Sequence, residues 1–335
     1  MIIFIVLLQT SALMVDGGMQ KEDKAAARLE FKVQSQERQA KVREVLEKDR
    51  ALAIVIGSVS LFVMTLLIIG FALLIYYYSQ KRFSGSELIP HTLGNIAPSW
   101  TLGDVIRVVI LFIFFNYLFS ILSYTLSGIL SIESLDKRTY MTASTTLMDI
   151  LALLFVLRFV TVKYSQPIEA LGLSLKDIMG NIKIGLYAYI GFLPVLAITF
   201  LVVLAMVKIT NYDPVPAPVY DLIFKEKRPI LLIVISALIA FIGPFIEEVF
   251  FRGFLYGALK KRLNVRWAIF LSALVFSTLH TNVLGFVPIL ALGIFFAYLR
   301  EKTGSLVPSI AVHVVHNSAL TSLMFFIRYI TSRIT

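Results

Sequence analysis

Apolar residues run in long blocks along this chain, and short clusters of charge separate the blocks. Eight of them are predicted to be membrane helices: 51–78, 105–130, 142–162, 184–207, 230–259, 267–281, 283–299 and 306–330. Several reach the ~20 residues that a helix needs to cross a bilayer. Aromatic and basic residues mark their ends, as Tyr76-Tyr77-Tyr78 and Lys81-Arg82 do after the first block. Such residues anchor spans at the headgroups. Arg107, at the start of the second block, is placed to snorkel to the same level. Pro194 is expected to kink the fourth block, and Pro244 to bend the fifth and free a carbonyl, which is tolerable only inside a protein bundle. The fold class expected is all-α: a polytopic transmembrane helix bundle of about eight membrane helices, with an extra N-terminal soluble helix.

The N-terminal part has a different texture. Residues 2–15 are largely apolar but short for a span, and resemble the core of a signal peptide. Residues 1–16 are therefore expected to be a signal-like or anchor segment. Residues 17–50 are dense in Lys, Glu, Arg, Gln and Ala. Glu37-Lys41 and Glu44-Lys48 are favourable i,i+4 pairs. A charged, solvated helix leading into the membrane is expected there, its apolar stripe too thin for a strong coiled-coil seam. Residues 51–335 form the transmembrane domain. Between its third and fourth blocks, residues 163–183 alternate apolar and charged positions and are expected to lie at the interface.

Composition supports this reading. The chain is 58% hydrophobic over 335 residues, with mean hydropathy +0.84, more apolar than a soluble domain of this size requires. The net charge of +10 raises nucleic acid as a partner, but basic residues that flank spans and meet anionic headgroups account for it. The expected partners are membrane lipids and no nucleic acid. The absence of cysteine excludes disulfides, thiolate metal sites and cysteine nucleophiles.

Charge inside the apolar blocks points to chemistry. Glu247, Glu248 and Arg252 lie within the fifth block, where a charged side chain costs roughly 2.5–3.5 kcal/mol even on lenient insertion scales. Glu248 and Arg252 are spaced i,i+4 and can pair on one helix face. Glu247 is rotated about 100° from Glu248, so its partner must come from another segment. The last third of the chain supplies candidates in Phe276 with His280, and in His313, His316 and Asn317. Counted from the basic loops at 260–266 and 300–302, Glu247, His280 and His313 lie roughly 20, 21 and 17 Å along their helices. If both loops share one side, the three clusters converge at similar depth. Asp149, inside the third block, is expected to be a structural hydrogen-bonding residue or a support to the site. His91 is expected at the surface.

Glu-Glu-x-x-x-Arg at 247–252, Phe-x-x-x-His at 276–280 and His-x-x-x-Asn at 313–317 occur in the order and rough spacing of the CAAX protease and bacteriocin-processing family. Over about its last 110 residues the chain resembles the type II CAAX prenyl endopeptidases, with its motif core at 230–330. The resemblance implies that Glu247 and His280 activate a water and that His313 and Asn317 stabilise the oxyanion. Glu248 and Arg252 then form a supporting ion pair, and His316 packs nearby. It implies catalysis without a cofactor, with zinc held by Glu247, His280 and His313 as the alternative. The implied function is an intramembrane endopeptidase acting on a prenylated or membrane-associated peptide, in a multi-pass protein of a bacterial-type plasma (inner) membrane. A non-catalytic scaffold or bacteriocin self-immunity protein of the same fold, and an ion-coupled transporter, remain as competing readings. The crowding of polar groups into one half of the chain argues against the transporter.

Overall fold

The computed structural model describes residues 44, 45, 47–83, 89, 96–129, 137–210, 223–280 and 284–334. The segment 1–16, most of the helix expected over 17–50, His91 and Asn282 lie outside the described residues. The one part of 17–50 that is described is helical at its end, and Lys48 Nζ bonds Glu44 Oε1 at 2.6 Å.

Eight longer helices follow among the described residues: α1 Arg50–Phe83, α2 Leu102–Ile129, α3 Lys137–Arg158 continued by a π turn at Phe159–Lys163, α4 Ile178–Thr210, α5 Pro229–Lys260, α6 Val265–Leu279, α7 Phe286–Thr303 and α8 Val307–Ile334. Six of them, α1 to α5 and α8, are long and apolar enough to cross a membrane. The helices α6 and α7 are shorter, so the expected eight membrane helices become six full-length candidates and two shorter ones. The chain is an all-α polytopic bundle. Large apolar side chains such as Leu61, Phe62 and Ile75 stand exposed along α1, as they do on a helix whose surroundings are lipid rather than water.

Helix ends show that the basic loops share one side. Lys260 at the end of α5 pairs with Glu301 at the end of α7 at 2.5 Å, and Tyr256 donates to the same carboxylate at 2.7 Å. Lys261 reaches the Ser99 and Trp100 carbonyls just before α2. At the end of α3, Lys163 bonds Asp104 at the start of α2. The hydroxyls of Tyr77 in α1 and Tyr298 in α7 meet at 2.7 Å, while Asp49 beside the other end of α1 lies 3.6 Å from Arg333 in α8. Thus α1 runs antiparallel to α8.

The fifth helix occupies the centre and packs on α3, α6, α7 and α8. Its core contacts are aromatic: Trp100 stacks on Phe254 at 5.5 Å and donates its indole N–H to the Phe254 carbonyl at 2.8 Å. Glycines set two close helix crossings, the usual device where no water drives association. A Cβ on Gly293 of α7 would sit 3.0 Å from the Cβ of Ala273 in α6, and one on Gly185 of α4 would sit 2.6 Å from the Pro308 carbonyl oxygen of α8. These crossings fix the helices that bear the histidines. Residues 163–183 are not a continuous interfacial helix: a 3-10 turn at Ile168–Leu171 ends on Gly172 in the left-handed region (φ 93°), and α4 begins only at Ile178. The turn buries Ala170 and Leu171, and Leu171 packs against Gly253 of α5.

A cavity of about 400 Å³ lies between α1, α4 and α7, with Leu73, Tyr77, Tyr187, Phe192, Phe295 and Tyr298 among its lining residues. Its walls are mostly apolar. The adjacent Phe296 faces the opposite way, toward the site described next.

Candidate active site

The site begins with a defect in α5. Pro244 has no N–H, and its ring crowds the preceding turn. The helix responds with a π turn across Leu238–Ile242, where the Gly243 N–H bonds Leu238 O, five residues back. The carbonyl of Ile239, which Gly243 would reach in a regular helix, accepts instead from Asn317 Nδ2 of α8 at 3.0 Å. A second π turn spans Val249–Leu255, directly after the two glutamates. Such turns recur at functional sites because they re-aim the side chains around them.

The two glutamates have different environments. Glu248 is fully buried, and its Oε1 accepts from Arg252 Nη1 at 2.8 Å and from His313 Nδ1 at 3.1 Å. Arg252 is equally buried and lies over the Phe276 and Phe296 rings, 4.1 and 5.1 Å from their centroids. Cation–π contact of this kind offsets part of the desolvation of a buried guanidinium. Glu247 is about one-third exposed at its side chain, and its Oε2 lies 3.6 Å from His313 Nε2. His313 therefore spans both carboxylates. Because Glu248 accepts at Nδ1, that nitrogen carries a hydrogen, and Nε2 is the atom turned toward Glu247. Among the described residues, the Oε2 atoms of both glutamates are buried without a hydrogen-bond partner. That is costly in a dry bundle and leaves acceptors free for a water or a substrate N–H.

His280 caps the end of α6. Its Nδ1 bonds the Phe276 carbonyl at 2.8 Å, and since a carbonyl only accepts, Nδ1 carries the hydrogen and Nε2 keeps a lone pair. The Phe276 ring touches His280 at 4.5 Å and His313 at 5.9 Å between centroids. One aromatic ring thus joins the second motif to the third. His316 turns away from this cluster: its Nδ1 meets the Tyr189 hydroxyl of α4 at 2.8 Å.

The structure brings together Glu247, Glu248, Arg252 and His313, joins His280 through Phe276, joins Asn317 through Ile239, and leaves His316 on the α4 side. The possible zinc ligands Glu247, His280 and His313 do not close on one point. Among the described residues, no group of three His, Cys, Asp or Glu side chains is arranged to hold a metal ion. Sequence reasoning missed the contact between His313 and Glu248, and the roles of Phe296 and Tyr189, because aromatic residues abound in every span and nothing local distinguishes these two. Asp149 lies within electrostatic reach of Glu247, across the packing of α3 on α5.

Comparisons with known proteins meet the same region. Residues 229–319 match the model of the family described as type II CAAX prenyl endopeptidase Rce1-like. Over 88 residues the chain is 30% identical to a Bacillus subtilis (strain 168) protein named "Putative membrane peptidase YdiL". That match covers 26% of this chain and 35% of the relative, so the chain spans about a third of the relative's length. No solved structure matches. Residues 229–319, which hold all of the motif residues, thus carry the sequence pattern of the type II CAAX prenyl endopeptidases.

Proposed function

We propose that the protein is an intramembrane endopeptidase of the CAAX prenyl protease type, which hydrolyses a peptide bond near the C-terminus of a prenylated or membrane-embedded substrate. One observation carries the reading: a partly exposed carboxylate, Glu247, beside a fully buried glutamate–arginine pair that fixes His313 against both glutamates. A carboxylate held in place and open to water within a largely apolar bundle is placed to act as a general base. In the proposed reaction Glu247 takes a proton from water, with His280 Nε2 as the second acceptor that orients it. The water oxygen attacks the substrate carbonyl, and its C=O pair moves onto oxygen. His313 Nε2, when protonated, and the second amide N–H of Asn317 are the donors proposed for that oxyanion. Two fixed donors in a water-poor site are worth several kcal/mol. Collapse of the intermediate breaks the C–N bond, and the proton held by Glu247 goes to the leaving amine. No step is routed through a metal, because the carboxylate and histidines do not gather as a ligand set.

The apolar cavity between α1, α4 and α7 has the chemistry to take an isoprenoid or acyl chain. This supports a lipid-modified substrate. The test is purified protein in nanodiscs with a farnesylated CAAX peptide and its unmodified twin, with and without chelator. Cleavage of the farnesylated peptide that survives chelation and falls at least 10³-fold in Glu247→Ala is expected. No cleavage of either peptide, or substantial turnover by Glu247→Ala, would overturn the reading.

A further inference from the structure

Most hydroxyl groups of the spans bond a carbonyl in the preceding turn or on a neighbouring segment, and two buried ones in α8 depart from this. A serine or threonine in an apolar helix can donate to the carbonyl three or four residues back. Ser60, Thr65, Thr146, Ser236 and Thr331 all do so, at 2.7–2.9 Å. In α8, Ser318 Oγ and Thr321 Oγ1 are buried and have no hydrogen-bond partner among the described residues. Thr321 is only 5% exposed. A hydroxyl left unpaired away from water costs on the order of 1–3 kcal/mol. Thr331, on the same helix, shows that α8 permits such back-bonding.

Position gives these hydroxyls a meaning. His313, Asn317 and Thr321 are spaced i, i+4 and i+8 and lie on one face of α8. That face meets the glutamates at His313 and the π turn at Asn317. Thr321 continues the line, roughly 12 Å from His313 at 1.5 Å per residue. An extended peptide advances about 3.3 Å per residue, so that distance is three to four substrate residues. A strand entering an apolar bundle brings its own N–H and C=O groups, each of which needs a partner there. A hydroxyl both donates and accepts, so it serves either group whatever side chain the substrate carries.

We propose that Thr321, with Ser318 beside it, is a backbone-binding subsite that holds the substrate strand three to four residues from the scissile bond. The proposal rests on the endopeptidase reading, and it makes Thr321 a positioning residue that recognises main chain and tolerates varied sequence.

The test measures kcat/KM for the wild type, Thr321→Val and Thr321→Ser on three peptides. One has at least five residues on each side of the scissile bond, and each of the others keeps only two residues on one side. Thr321→Val is expected to lose about 3- to 10-fold on the long peptide and on one shortened peptide. It should equal the wild type on the other, which has lost the group that Thr321 binds. Thr321→Ser should restore cleavage of the long peptide. The Val variant should melt at or above the wild-type temperature, since it removes an unpaired buried hydroxyl. A lowered melting point or a failure to fold would make the residue structural and overturn the proposal. So would the same ratio on all three peptides, or no loss on the long one. Wild-type protein that cleaves none of the peptides would instead sink the endopeptidase reading itself.

Discussion

Removing Arg252 should unfold this protein more readily than removing any other motif residue. Its guanidinium and the Glu248 carboxylate are both wholly buried and meet at 2.8 Å. Taking away one member of such a pair costs ~3–5 kcal/mol, because the other charge stays buried and uncompensated. The contacts of Arg252 with Phe276 and Phe296 add ~1 kcal/mol or more. Arg252→Met, which keeps most of the volume, is therefore expected to lose about 4–6 kcal/mol. The control is the double variant with Glu248→Gln, which removes both charges. It should recover about 2–3 kcal/mol relative to the sum of the single variants. The assay is reversible unfolding in mixed micelles, followed by tryptophan fluorescence. The chain has two tryptophans. Trp100 is completely buried and stacked on Phe254 of α5, whereas Trp267 is more than half exposed. Loss of the Trp100 signal thus reports release of the helix that carries the pair. Stability of Arg252→Met within about 1 kcal/mol of the wild type, or additive single variants, would refute the reasoning.

Other consequences follow from the same contacts. Tyr189→Phe breaks the bond to His316 and should cost ~0.5–1.5 kcal/mol while leaving kcat nearly unchanged, which micelle unfolding and steady-state kinetics would check together. Gly185→Ala should lower stability by ~1–3 kcal/mol, because the new Cβ would meet the Pro308 backbone at 2.6 Å, and the same melts would show it. Glu226, buried just before α5, accepts from Arg228, which holds its carboxyl well below the ordinary value of 4.5. A depressed folded-state value stabilises above the unfolded value and is lost as pH falls below it. The deficit of Glu226→Gln in unfolding experiments should therefore be present at pH 7 and shrink below about pH 4.5.

Much of the fold could be read from the chain because lipid leaves few choices. Backbone groups must be satisfied within a span, so a long apolar block is a helix. The blocks that fell short, at α6 and α7, are those whose length the pattern could not fix, since charges at Arg300, Glu301 and Lys302 lie within the last turns of α7. The stretch 163–183 holds a contact that its pattern does not announce. Its alternation described an amphipathic surface, but Leu171 packs into the gap that Gly253 leaves on α5, a tertiary contact that no local pattern carries.

The site was legible to the extent that charge in an apolar run demands a partner. That demand paired Glu248 with Arg252 by spacing alone and sent the search for a partner of Glu247 to other helices, where His313 lies. It could not say that His313 also bonds Glu248, because side chains one residue apart in sequence point about 100° apart and either could have faced α8. The direction in which the pair faces is set by the π turns on either side. Pro244 forces one turn before the glutamates and a second follows them, which together aim the regular segment Gly243–Glu248 at α8, where His313 meets Glu248 through Nδ1 and Glu247 through Nε2. The same distortion passes over the Ile239 carbonyl and gives Asn317 its anchor. A proline that reads in the sequence as a kink is thus the origin of the arrangement. It withholds a hydrogen bond, the helix widens by one residue, and the freed carbonyl and re-aimed carboxylates are met by one face of α8.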